Sequence, residues 1–104
     1  MTYAAITGWG ACMPPATLTN QDLSTFLDTS DEWITSRTGM RERRISHVTA
    51  VELATVASAR ALACAGLAPE DVDLIVYGGV SNDALFPHAS SGVQVLLGAT
   101  NPAP

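Results

Sequence analysis

Apolar and polar positions alternate along this chain on two different spacings, and the spacings predict its elements. Residues 3–13, YAAITGWGACM, are nearly uncharged and rich in Ala, Ile and Gly. That pattern predicts a buried strand, ended by Pro14 and Pro15. Leu23, Phe26 and Leu27 recur at helical spacing, so a short helix runs to Leu27 with Thr19 or Asn20 as its cap. Residues 31–38 predict a helix of about two turns. Thr29 and Ser30 are both able to cap it, and Thr29 with Glu32 fits a capping box. Asp31 and Glu32 suit the helix N-terminus, and Gly39 after Arg37 marks a stop. Residues 40–46 alternate charge with Met and Ile, which predicts an extended or irregular edge.

A second capping box, Thr49 with Glu52, opens a longer helix that Gly66 ends. Leu53, Val56, Ala57, Ala61 and Cys64 trace one face of it, and its many alanines predict a close approach to a sheet. Residues 67–71 form a connector. Residues 74–80 are a continuous apolar run, the pattern of a strand buried on both sides. A loop at 81–86, a helix at 87–97 closed by Gly98, and an irregular end at 101–104 complete the chain. The expected fold class is α/β in the order β-α-α-β-α. Two hydrophobic strands joined by a long crossover predict a parallel pair. Two parallel strands bury too little to stand alone, so the chain is expected to be incomplete as an isolated fold.

Charge narrows the function classes. The chain of 104 residues has a net charge of −5, no lysine, and an ordinary apolar share of 47%. An acidic surface argues against nucleic acid. Four of the five arginines nevertheless fall between Arg37 and Arg44. Such a local positive spot suits a small anionic ligand or an acidic carrier protein, or else is a solvated, salt-bridged turn. Cys12 and Cys64 have neither metal nor CxxC spacing, so buried reduced thiols are expected for both. Gly8-Trp9-Gly10 fails as a dinucleotide-binding motif: no third glycine follows, and prolines stand where the helix should begin. Its small residues predict close packing against a neighbouring element instead. The N-terminus lacks the basic residues and apolar run of a signal peptide, and no stretch is long enough to span a membrane, so a cytoplasmic location is expected.

One pair carries candidate chemistry. Trp33 and Arg37 are four residues apart, hence on one helical face. An indole beside a guanidinium offers a flat apolar surface and a positive fork, suited to a ligand with an aromatic ring and a phosphate. The same spacing also fits a purely structural cation–π pair.

DTSDEWI followed by RTGMRERRI, residues 28–34 and 37–45, closely resembles the signature near the N-terminus of β-ketoacyl-acyl-carrier-protein synthase III, a condensing enzyme of the thiolase superfamily. ITGWGACMPP, TNQDL and DVDLIVYGGVSNDALFPHASSGVQVLLG resemble further segments of that family, in the same order. The resemblance implies a thiolase-like fold, with residues 1–104 forming the N-terminal part of its first half and no second domain. It implies acyl-CoA as substrate, acyl-carrier protein as partner, a homodimer in the full-length enzyme, and a role in fatty-acid biosynthesis. It carries Thr29 to the adenine end of the coenzyme, Trp33 to stacking on the adenine, and Arg37 to the phosphates. Phe86 resembles the aromatic that reaches across the dimer to line the partner's acyl pocket, or else is an ordinary loop anchor. Val80 stands where many relatives have threonine.

The family's nucleophilic cysteine, histidine and asparagine match nothing here. Cys12, Cys64, His47 and His88 lie outside those motifs, so no catalytic residue, metal or permanently bound cofactor is assigned. Two expectations follow. One is the N-terminal part of a condensing enzyme, inactive alone, with secondary-metabolite starter synthases and acyltransferases of the same superfamily as neighbours. The other is a short, non-catalytic module that binds coenzyme A or a protein.

Overall fold

The computed structural model describes residues 2–100; the expected irregular end at 101–104 lies outside the described residues. Contacts divide the chain into two compact units, one of Met13–His47 and one of the flanking segments before and after it.

In the Met13–His47 unit, strand β1 (Ala16–Thr19) leads into helix α1 (Asn20–Ser24), then helix α2 (Asp31–Thr38) and strand β2 (Glu42–Ile45). The strands pair antiparallel, Ala16 opposite Ile45 and Thr19 opposite Glu42. Thr19 caps α1 reciprocally: its hydroxyl accepts from the Asp22 N–H at 3.1 Å, and its own N–H donates to the Asp22 carboxylate at 3.0 Å. Helix α2 has the expected bounds, and Gly39 ends it in the left-handed conformation at φ 75°. Its cap is Ser30, whose hydroxyl accepts from the Trp33 N–H at 3.1 Å. The expected Thr29–Glu32 box does not form, because the extended residue before the helix is Ser30 and Thr29 stands one place too early.

Only two residues of this unit are buried, Ile34 and Asn20. The Asn20 side-chain amide donates to Asp31 Oδ1 at 2.8 Å, to the Met40 carbonyl at 2.7 Å, and more weakly to Thr35 Oγ1 at 3.3 Å. Its oxygen accepts from Arg43 at 2.7 Å, and its backbone N–H donates to the Arg41 carbonyl at 3.1 Å. One asparagine thus ties both ends of α2 to β2.

The other unit is built on α3 (Ala50–Ala65) and α4 (Ala89–Leu97), which pack together, with Ala89 and Val93 buried at the seam. The capping box of Thr49 and Glu52 and the left-handed Gly66 bound α3 as expected. Helix α4 starts two residues later than expected, because His88 is its cap: His88 Nδ1 accepts from the Ser90 N–H at 3.3 Å.

The two expected core strands are not strands. Among the described residues, 3–13 and 74–80 enter no sheet, the expected parallel pair is absent, and the sole sheet is the antiparallel β1–β2 pair. A strand needs a neighbouring strand to take its N–H and C=O groups, and neither run pairs with one among the described residues. Nor are these runs buried on both sides, since Ile6 is 92% and Val76 85% exposed. They lie instead along the helices. A Cβ at Gly10 would overlap the Ala57 carbonyl oxygen and come within 2.6 Å of the Ala61 nitrogen. A Cβ at Gly8 would overlap the Ala61 carbonyl oxygen and meet the Ala65 Cβ at 2.8 Å. The alanine face of α3 therefore receives a glycine ribbon, which confirms the close packing read from the small residues. Arg60 completes the contact by donating to the Ala11 carbonyl at 2.7 Å.

Two predictions follow from this packing and capping. Gly10→Ala destabilises the chain by about 1–3 kcal/mol in urea unfolding, through overpacking against α3. Gly78→Ala meets nothing within 4 Å, and its effect stays within about 0.5 kcal/mol. The second concerns pH. The Thr19 backbone N–H, and then its hydroxyl, hold the Asp22 carboxyl below its ordinary value of 3.8. A depressed folded-state value adds stability above the ordinary value and loses it as pH falls through the folded one. Acid titration of unfolding therefore shows a loss below pH 3.8 that is smaller in Asp22→Asn.

Candidate functional site

The exposed side of α2 carries the candidate site. Residues four apart on a helix stand one above the other. Accordingly, the Arg37 guanidinium carbon lies 5.2 Å from the centre of the Trp33 ring. The indole is 54% exposed, so part of its ring surface is open to a ligand. Beside it opens a cleft of about 320 Å³ lined by Asp28, Thr29, Ser30 and Trp33. Thr29 is half-buried there, and its backbone N–H donates to the Leu27 carbonyl at 2.9 Å, which fixes the turn entering α2.

Of the residues named from sequence, Thr29 and Trp33 line one cleft and Arg37 covers the indole. Phe86 belongs to the other unit, on the loop before α4, and is 88% exposed. That loop is fastened by a residue the sequence reading missed. The two Asp83 carboxylate oxygens accept from the Ala50 and Val51 N–H groups, each at 3.0 Å. The free N–H groups that open α3 attract a carboxylate, but no local motif reveals a partner more than 30 residues away. Asn20 was legible only as a possible helix cap, and its side-chain network was missed for the same reason.

The cysteines correct one expectation. Cys64 is exposed near the C-terminal end of α3. Cys12 is half-buried and borders an apolar crevice of about 460 Å³ with Val48, Leu53, Val56 and Leu96. Among the described residues, no group of three or more His, Cys, Asp or Glu side chains is arranged to hold a metal, and no helix is long and apolar enough to cross a membrane.

No protein-family model matches this chain. Individual proteins match it closely. It is 60% identical over 101 residues to β-ketoacyl-acyl-carrier-protein synthase III 2 of Vibrio cholerae, across 97% of this chain. This chain is a homologue of β-ketoacyl-acyl-carrier-protein synthase III. It spans 28% of the Vibrio cholerae relative's length. The synthase III of Caldanaerobacter subterraneus is 50% identical over 96% of the chain, which spans 31% of that protein. Among solved structures, the 3-oxoacyl-acyl-carrier-protein synthase III of Aquifex aeolicus superposes with a TM-score of 0.85 at 43% identity, over 93% of this chain and 32% of that one. The priming β-ketosynthase of the R1128 polyketide pathway superposes with a TM-score of 0.84 at 35% identity, over 94% of this chain and 30% of its own. The fold is therefore mixed α/β and thiolase-like.

The Asp83 contact generates a prediction. Asp83→Ala costs about 1 kcal/mol through loss of an anionic cap on α3. The Phe86 loop becomes the first site of limited proteolysis, while Asp83→Asn, which keeps one acceptor, loses about half as much.

Proposed function

We propose that this chain supplies the coenzyme-recognising rim of a synthase III condensing enzyme, which joins an acyl-CoA starter to malonyl-acyl-carrier protein in fatty-acid biosynthesis. The observation that carries the reading is the Trp33–Arg37 stack at the mouth of an open polar cleft. The half-exposed indole offers its surface to the adenine. The Asp28 carboxylate and the Thr29 hydroxyl are acceptors suited to the exocyclic amine of a purine. The Arg37 fork supplies charge-assisted hydrogen bonds to phosphate. Four of the five arginines, from Arg37 to Arg44, add a positive field that draws an anionic coenzyme and an acidic carrier protein. In a homodimer of the full-length enzyme, the role assigned to Phe86, exposed on the loop that Asp83 ties to α3, is to line the partner's acyl pocket. The bond-forming chemistry is assigned to no residue of this chain. The likeness to the R1128 priming ketosynthase supports a second reading, a polyketide starter synthase with the same coenzyme rim.

Calorimetric titration with coenzyme A tests the rim. Trp33→Ala weakens binding about tenfold, the scale of one base–aromatic stacking contact. Arg37→Ala weakens it too and flattens its dependence on salt, because a phosphate contact is lost. Wherever this chain stands in an active enzyme, Trp33→Ala raises the Michaelis constant for acyl-CoA more than it lowers turnover. Wild-type affinity in both variants removes coenzyme recognition from this face and favours a module with another ligand.

A further inference from the structure

We propose that Asn20 is a positioning residue for the Trp33–Arg37 rim, acting through Asp31, Thr35 and Met40. The inference rests on the coenzyme reading of that rim and extends it to a residue that touches no ligand. Helix α2 is eight residues long and buries one side chain, Ile34. A two-turn helix does not hold its own direction. The hydrogen bonds of Asn20 supply that direction. Its amide hydrogens reach Asp31 at the first residue of α2 and the Met40 carbonyl just beyond its glycine stop, with Thr35 midway. Its oxygen is held from the opposite side by Arg43 on β2, and its backbone N–H by the Arg41 carbonyl. The two ends of the helix that presents the indole and the guanidinium are thus referred to one strand through a single side chain, itself 1% exposed.

The chemistry requires this residue type. Asparagine offers two donors and an acceptor on opposite sides of one rigid plane. An aspartate would set its charge against the Asp31 carboxylate and the Met40 carbonyl. A serine is too short to span from α2 to β2.

The test uses the full chain with Trp9→Phe as background, so that Trp33 is the one fluorescent indole. Coenzyme A is the probe, and unfolding, affinity and indole emission are measured together. Asn20→Ser is expected to unfold cooperatively, to bind coenzyme A about tenfold more weakly, and to shift the emission of the free protein, as a loosened support around a rigid site does. Asp31→Ala, at an exposed position, is the second variant, with about threefold weaker binding and a smaller shift in emission. A folded Asn20→Ser with unaltered affinity and emission overturns the proposal. If Asn20→Ser does not fold, Asp31→Ala decides: unaltered affinity and emission overturn the proposal, and weakened binding supports it. Failure of the coenzyme reading gives a different result. The background protein then does not bind coenzyme A, while the emission shifts of Asn20→Ser and Asp31→Ala still report whether Asn20 sets the geometry of Trp33.

Discussion

The Asn20 carboxamide has almost no access to water, so each of its polar atoms must bond within the protein. An amide buried without partners loses several kcal/mol, about as much as the largest single substitutions in small domains. That constraint shapes the Met13–His47 unit. Its one buried apolar side chain, Ile34, has little area to offer. Directional bonds therefore do what an apolar core does elsewhere. Hydrophobic contact tolerates sliding, whereas a hydrogen-bond network has one geometry that satisfies all its members. The polar centre thus ties both ends of α2 to β2.

The other unit solves a different problem. Two helices pack together through small residues, and a glycine-bearing segment lies along the alanine face of α3 at backbone distance. Closeness here comes from the absence of side chains rather than from their complementarity. At the start of α3, the capping box and the Asp83 carboxylate together take the N–H groups of Ala50, Val51 and Glu52. The loop that carries Phe86 is thereby tied to the longest helix of the unit.

Much of this was legible in the sequence, for local reasons. Helix ends announce themselves through residues within four positions of one another. The Thr49–Glu52 box, Gly39, Gly66 and Gly98 accordingly placed helix ends where they are found. Trp33 and Arg37 were legible as a stacked pair because helical geometry alone puts them on one face. The rest depends on partners far along the chain. Residues 3–13 and 74–80 have strand composition, but apolar content reports burial preference and not whether a neighbouring strand is present. Conversely, Ala16–Thr19 and Glu42–Ile45 do pair, each only four residues long; residues 40–46 were legible as an extended edge, but the partner strand was not. The contacts of Asn20 and Asp83 span between 11 and 33 positions, beyond any motif.

The two extended runs laid along the helices have a consequence for handling the protein. Each turns apolar side chains such as Ile6, Leu74 and Val76 outward, and neither belongs to a ladder among the described residues. An apolar ribbon that lies outside any ladder is a template for a strand offered to it. Edges of that kind pair readily with one another, so keeping the isolated chain dispersed calls for dilution or for capping those edges, with the −5 net charge acting against association.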